Sequence, residues 1–422
     1  MKRSLSLSLA LLALLAVGVP PVRAGICALD NAPAATLLLP YFEVDLIHPD
    51  GRTTLLSVNN AGPQAVLTNV SVWSDLGVPV LGFQIYLTGY DVETINLRDI
   101  FLNGLLPRSA SVGQDPNDTV SPDGPFSTDL DFPSCTGIFP LPALPASFMQ
   151  HLRSSLSGRP SLIFDNLCAG QFFGDDVARG YVTVDTVSRC ALLFPSDPGY
   201  FGAGGMATQQ NVLWGDFFLV DEANNFAQGE NMVRIEADAN AFHAGDSTFY
   251  GRYVGYSGAD GREPLASVWA SRFVDAGAFS GGTELLAWVD SGQANAPFFC
   301  NAIHPRPWFP LALDDLVFFD EQENPERYSA GPFPIPVPIP VPTPFPAEAN
   351  RVKADSPLLP LPFDFGWMEL DFGRGVEGVR RPAQAWVQTL MNASGKFSVG
   401  YKATPLVDVC HARNPQFGQP GN

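Results

Sequence analysis

The chain has 422 residues, 46% hydrophobic and 16% charged, with 39 glycines, 39 prolines and a formal net charge of −19. So much apolar surface excludes a wholly disordered chain, and a Gly or Pro every ten or so residues excludes a long helical bundle. The charge argues against nucleic acid and anionic lipid as partners, and only four lysines occur (Lys2, Lys353, Lys396, Lys402).

From the start of the chain, Lys2 and Arg3 precede an apolar run over 5–19, and Val22-Arg23-Ala24 supplies small residues at −3 and −1. This is the layout of a secretory signal peptide over 1–24, cleaved after Ala24. The run stops at Pro20-Pro21, short of the roughly 20 residues that a membrane span needs. Ile26 before Cys27 does not fit a lipoprotein signal. Cleavage removes three of the 24 basic residues and moves the charge to −22. The expectation is a secreted or periplasmic protein with no membrane insertion after signal cleavage.

Six cysteines follow, Cys27, Cys135, Cys168, Cys190, Cys300 and Cys410. An even count in an exported chain makes all six disulfide candidates, with the connectivity open. No CxxC pair suggests a zinc ribbon or a redox site. Cys300 and His304 are four apart, but Pro305 and Pro307 argue against the helix that a metal pair would need.

The main body, 25–330, is strand-like. Residues 53–58 and 65–73 read as two strands with Asn59-Asn60-Ala61-Gly62-Pro63 as the turn between them. Over 81–88, Leu81, Phe83, Ile85 and Leu87 alternate with Gly82, Gln84, Tyr86 and Thr88, a period of two. Residues 105–145 form a long irregular excursion pinned by Cys135. Its Asp and Asn side chains suit turns, and their spacing does not match an EF-hand calcium loop. One helix is predicted, with Phe148, Leu152 and Leu156 at i, i+4 and i+8, Ser147 as cap and Gly158 as stop. Further strands are predicted at 181–187, 212–220, 232–237, 265–273 and 285–289. Together these predict an all-β, antiparallel β-sandwich architecture of one or two sandwiches, with long irregular loops and one short helix.

From Pro332 to Pro346 every even-numbered residue is proline, so 331–346 reads as a polyproline II strap, a stiff spacer about 45 Å long at ~3.1 Å per residue. Its even spacing does not match the three-residue repeat of an SH3 ligand. Strands at 365–372, 385–391 and 396–403 follow, the last two joined by Asn392-Ala393-Ser394-Gly395 as a hairpin. Cys410 is the single cysteine of this 347–422 piece. Full intramolecular pairing therefore ties these C-terminal strands back to the body.

The chemistry-bearing motifs are few. Gly255-Tyr256-Ser257-Gly258-Ala259 misses a serine-hydrolase elbow by one residue, and neither H-E-x-x-H nor a Walker loop occurs. His48, His151, His243, His304 and His411 are scattered without ligand spacing. Asp290-Ser291-Gly292 matches the aspartic-protease triplet, but that chemistry needs two carboxylates sharing a proton, and Asp185-Thr186-Val187 lacks the glycine. Two placed carboxylates suffice for glycoside hydrolysis, with Glu43, Asp45, Asp216, Glu236 and Asp238 as candidates in or beside strands. Trp73, Trp214, Trp269, Trp288 and Trp386 in strands could stack on sugars or simply fill a core. No catalytic, cofactor-binding or metal-binding residue is assigned.

Residues 35–42 (Ala-Thr-Leu-Leu-Leu-Pro-Tyr-Phe), Leu56-Ser57-Val58-Asn59-Asn60, Gly180-Tyr181-Val182-Thr183-Val184-Asp185, Val212-Leu213-Trp214-Gly215-Asp216 and Ala385-Trp386-Val387 resemble exported bacterial proteins of uncharacterised function. The resemblance spans most of the mature chain. It implies a bacterial envelope or secreted location and a β-sandwich fold, and carries over no activity. The expected function is a non-catalytic binding or structural protein, its partner unknown but a glycan or protein on the cell exterior being the class considered. The alternative is a secreted hydrolase acting on polysaccharide or peptide.

Overall fold

A computed structural model describes residues 32–107, 132–135, 137–139, 141–292, 294–300, 316–328, 344–373 and 383–406. The signal peptide, Cys27, Cys410, His304, His411, the acidic turns of 114–124 and the proline run up to 343 lie outside the described residues.

In chain order the first half carries β1 (Thr36–Asp45), β2 (Thr53–Asn60), β3 (Val66–Ser74), β4 (Pro79–Leu87), β5 (Val92–Asn96), a π-helical turn (Asp99–Asn103), the helix α1 (Ala146–Leu156), β6 (Val177–Val187), β7 (Leu213–Trp214), β8 (Asp216–Asp221), β9 (Phe226–Asn231) and β10 (Val233–Ile235). The second half carries β11 (Val268–Val274), β12 (Gly282–Val289), β13 (Leu316–Phe319), β14 (Pro325–Arg327), β15 (Ala349–Lys353), β16 (Phe365–Asp371), β17 (Ala385–Asn392), β18 (Ser398–Lys402) and β19 (Thr404–Pro405).

These strands build four antiparallel sheets, ordered β10-β1-β6-β3-β4, β5-β2-β8-β9 with β7 on β2, β15-β12-β17-β18, and β14-β13-β16-β11-β19. The fold is all-β and sandwich-like. The first two sheets meet where β1 packs on β2, and the last two where β11 packs on β12 and β17. The halves touch where β1 and β6 meet β15, β1 meets β12, and β9 meets β18. A single apolar cluster runs through all four sheets, from Leu37 of β1 to Leu390 of β17. The C-terminal strands interleave with earlier ones: β12 lies between β15 and β17, and β11 between β16 and β19.

Abundant proline is compatible with so much strand because of where it falls. Pro79, Pro325 and Pro405 sit in β4, β14 and β19, each the end strand of its sheet. There a missing N–H removes no ladder bond. Pro40 lies inside the central strand β1, where Pro40 and Tyr41 together oppose the single residue Tyr181. That is a β-bulge, the one place where an interior strand tolerates proline.

Several expectations change in detail. Residues 59–63 join β2 to β3, but the two belong to different sheets, so the segment is a crossover between layers. The 212–220 strand breaks at Gly215, whose Cα lies so close to β2 that a Cβ would stand 2.3 Å from the Ser57 carbonyl oxygen. Within 232–237 only Val233–Ile235 pairs as a strand, against β1. The helix begins at Ala146 after Pro145, with no side-chain cap, so Ser147 lies inside the first turn. Proline with its fixed φ takes the capping place that the serine was expected to hold. Leu152 and Leu156 are buried as their spacing requires. The 392–395 turn does join β17 to β18, with Ser394 and Gly395 at positive φ.

Cys135 is bonded to Cys190 and Cys168 to Cys300. Two disulfides point to folding outside the reducing cytoplasm.

Candidate functional site

Beside the bulge in β1 lies a concentrated polar site. Inserting one residue reverses the side-chain alternation that follows, and Tyr41 and Glu43 emerge together toward β15. The Tyr41 hydroxyl donates to Glu43 Oε1 at 2.6 Å, while Arg52 Nη1 and Arg351 Nη1 donate to Oε2 at 3.0 and 2.7 Å. Arg179, the cross-strand partner of Glu43 on β6, brings its Nε to 3.6 Å. Burial pushes the Glu43 carboxyl up, but Arg351, Arg52, the Tyr41 hydrogen bond and Arg179 outweigh it and hold the group below its ordinary value.

Each arginine is itself closed by a second acid. Arg351 bonds Glu284 through Nε at 2.7 Å and Nη2 at 2.6 Å. Arg179 forks onto Asp175 at 2.8 and 2.7 Å, and Arg52 reaches Asp221 at 3.0 Å. Against this cluster lies a cavity of about 210 Å³ whose walls include Tyr41, Glu43, Gln171, Phe173, Arg179, Asn350, Arg351 and Leu358. Pro344 and Pro346, the described end of the proline run, complete the wall. Phe345 between them is buried, its ring centroid 5.2 Å from that of Phe372.

Behind Gln171 sits Asp75, in the turn from β3 to β4 and only 2% exposed. Its carboxylate accepts the Gln171 N–H at 3.0 Å, and its carbonyl accepts the N–H groups of Glu348 and Ala349 at 2.8 and 3.0 Å. Burial pushes this carboxyl up to about 7, against the pull of the Gln171 N–H and Arg179.

Two more buried carboxylate cages lie elsewhere in the fold. Arg252 lies between Asp290 and Glu348, 3.0 Å from the first and in close contact with the second. Glu348 also accepts from Tyr181 at 2.7 Å and Asn295 at 3.0 Å; Asp290 accepts from Gln384 at 3.0 Å and the Gly292 N–H at 2.8 Å. Burial raises the Asp290 carboxyl, opposed by Arg252 and reinforced by Glu348. In the other cage Asp185 accepts from Thr36, Tyr200 and Tyr250 at 2.5, 2.8 and 2.9 Å, with Arg262 at 3.9 Å. The partner that Asp290 holds across its cage is thus an arginine, and Asp185 is bound into a separate network.

Of the candidate acids, Glu43 alone lines the cavity. Asp45 accepts the N–H groups of Ile47 and His48 in the turn after β1, Asp216 accepts from Ser57, and Asp238 accepts from Asn240. The Glu236 backbone N–H donates to Glu263. Trp73, Trp269, Trp288 and Trp386 are buried, whereas Trp214 is 37% exposed. Trp73 stacks on both Tyr181 and Tyr253 at 5.6 and 5.9 Å. His151 is buried between Phe148 and Phe164 with Nδ1 2.6 Å from Ser161 Oγ. His48 and His243 pair locally with Asp45 and Asp246.

The residues that sequence reasoning missed include Asp75, Arg52, Arg179, Arg351, Arg252 and Glu348. Arg179 falls just before the predicted strand 181–187, and no pattern in the sequence marks any of these residues. The chain matches no known protein family, no curated protein and no solved structure.

Proposed function

We propose that this chain is an exported, non-catalytic binding or structural protein of the bacterial envelope or extracellular space, of the kind its sequence resembles. One observation carries the reading. The acid that lines the cavity, Glu43, is clamped by four arginine and tyrosine groups. A carboxylate held toward its charged form by this many donors is a poor proton shuttle, but a rigid wall for recognition. The two disulfides support an oxidising compartment.

A secreted hydrolase acting on polysaccharide or peptide is the second reading, and Asp75 is the observation in its favour. A carboxyl pushed up to about 7 matches the protonation that a general acid needs. Its burial beneath the Gln171 backbone weighs against it. The test is an activity screen of the oxidised mature protein on polymeric glycans and peptides, alongside thermal melts with the same compounds. A ligand at a hundred times its Kd adds about 2.7 kcal/mol to stability. Melting shifts without turnover are expected; reproducible turnover abolished by Asp75→Asn would overturn the non-catalytic reading.

A further inference from the structure

We infer that the cavity between β1, β6 and β15 takes one uncharged sugar ring. The inference rests on the binding-protein reading and assigns its ligand class.

Charge comes first. At and behind the wall the three guanidiniums of Arg52, Arg179 and Arg351 meet four carboxylates, Glu43, Asp221, Asp175 and Glu284, so that no arginine is left without an acid and each acid is bonded to an arginine. A ligand carrying net charge would lose its water there and find no free counter-charge, a cost that a neutral ligand escapes. The polar groups at the cavity still have hydrogen-bonding capacity. A guanidinium offers five N–H donors, of which Arg351 spends three on Glu284 and Glu43, and a carboxylate about four acceptor sites, of which hydrogen bonds from Tyr41, Arg52 and Arg351 fill three on Glu43. The Tyr41 hydroxyl, which donates to Glu43, retains acceptor capacity. A ligand hydroxyl both donates and accepts, so neighbouring hydroxyls satisfy an alternating Arg and Glu surface without leaving either orphaned.

Shape comes next. Phe173 is 55% exposed, and the Arg179 guanidinium stands 4.5 Å from its ring centroid. Leu358, also exposed, and Pro344 line the same cavity. A ligand with an apolar C–H face and a polar hydroxyl edge fits walls that carry Phe173, Leu358 and Pro344 together with the polar groups of Tyr41, Glu43, Asn350 and Arg351; a pyranose ring has that character. The volume of about 210 Å³ admits one small ring. The wall is also fixed in advance: Asn350 bonds the Ala347 N–H and carbonyl and the Ala287 carbonyl at 2.9, 2.7 and 3.1 Å. Preorganisation of this kind lowers the cost of binding.

The experiment titrates the full oxidised mature chain by calorimetry and NMR with glucose, galactose, mannose and N-acetylglucosamine, and with glucuronate and glucosamine as charged counterparts. Saturable binding of at least one neutral sugar is expected, with both charged ones weaker. Phe173→Ala weakens that binding about tenfold or more without changing the melting temperature. Phe172→Ala is the control, being a neighbouring ring, 63% exposed, that does not line the cavity. Tyr41→Phe, which keeps the ring and loses the hydroxyl, weakens binding as well. Equal effects of the two phenylalanine variants, tighter binding of a charged sugar, or no saturation by any neutral sugar overturns this site while leaving the wider binding role standing. Polymer turnover would instead strike at the non-catalytic reading itself.

Discussion

Arg351 Nη1 lies 2.7 Å from the Glu43 carboxylate, joining residues 308 positions apart in sequence. The contact runs from β1 in the first half to β15 in the second, across the seam where the two pairs of sheets meet. Glu43→Gln removes the charge that three guanidiniums share, and breaking a buried pair in this way costs about 3–5 kcal/mol. Arg351→Met strips the seam of one cation and leaves Glu284 without its fork. Because the two residues act through one contact, their effects fall short of additivity by roughly 0.5–3 kcal/mol. Urea unfolding of both single variants and the double variant measures this. Simple additivity would mean that Arg351 and Glu43 are not energetically coupled across the seam.

Asp75 gives the protein a dependence on pH. An unfolded Asp holds its proton only below about 3.9, whereas the native carboxyl holds it up to about 7. Between these values the native state binds more protons than the unfolded chain. The resulting stabilisation, on the order of 4 kcal/mol, is full below about pH 4 and is lost as pH rises through 7. Burial gives Asp185, Asp260 and Asp290 the same sign, while Glu43 has the opposite one and loses its contribution as pH falls through its lowered value. Unfolding free energy should therefore drop between pH 5 and pH 8, and Asp75→Asn should reduce that slope and be the more stable protein at pH 8. Parallel profiles for parent and variant would show that Asp75 does not carry the proton.

The disulfides make a mapping prediction. With Cys135–Cys190 and Cys168–Cys300 formed, the remaining pair in a fully oxidised single molecule is Cys27 with Cys410. A non-reducing peptide map should return these three linked pairs and no others. Removing Cys168–Cys300, which closes a loop of 132 residues, should cost several kcal/mol, about 3–5 in the chain-entropy account. Mixed pairings, or Cys410 linked between two chains, would refute the scheme.

What the sequence made legible follows from the physics of each element. β4, β12 and β17 are apolar and bounded by turn residues, and a single sequence is enough to mark them. β9 reads Phe-Ala-Gln-Gly-Glu-Asn and offers no such pattern, because its pairing with β8 supplies what its side chains do not. The site was less legible still. Glu43 came up as one acid among several, but the arginines that define its role arrive from residues 52, 179 and 351 through sheet pairing. A buried Arg and a solvated Arg look alike in one sequence. The same holds for Asp75, whose Ser74-Asp75-Leu76-Gly77 surroundings have the look of an exposed turn although the Glu348 segment and Gln171 cover it.

Gly180 offers the sharpest test of the β3–β6 seam that supports the site. It follows Arg179 and lies opposite Phe42 of β1 and Ser74 of β3. A Cβ there would stand 1.9 Å from the Trp73 carbonyl oxygen and 2.9 Å from the Phe42 ring. The ring has some room to move, whereas the carbonyl belongs to a paired strand and can shift only by deforming the sheet. Overpacking usually costs about 1–3 kcal/mol, and a clash with backbone puts Gly180→Ala at the upper end of that range or beyond. Chemical unfolding and the near-ultraviolet signal of Trp73, stacked beside this strand on Tyr181, should both report the loss. A variant with parental stability and spectrum would show that β3 and β6 do not approach as closely as the pairing requires.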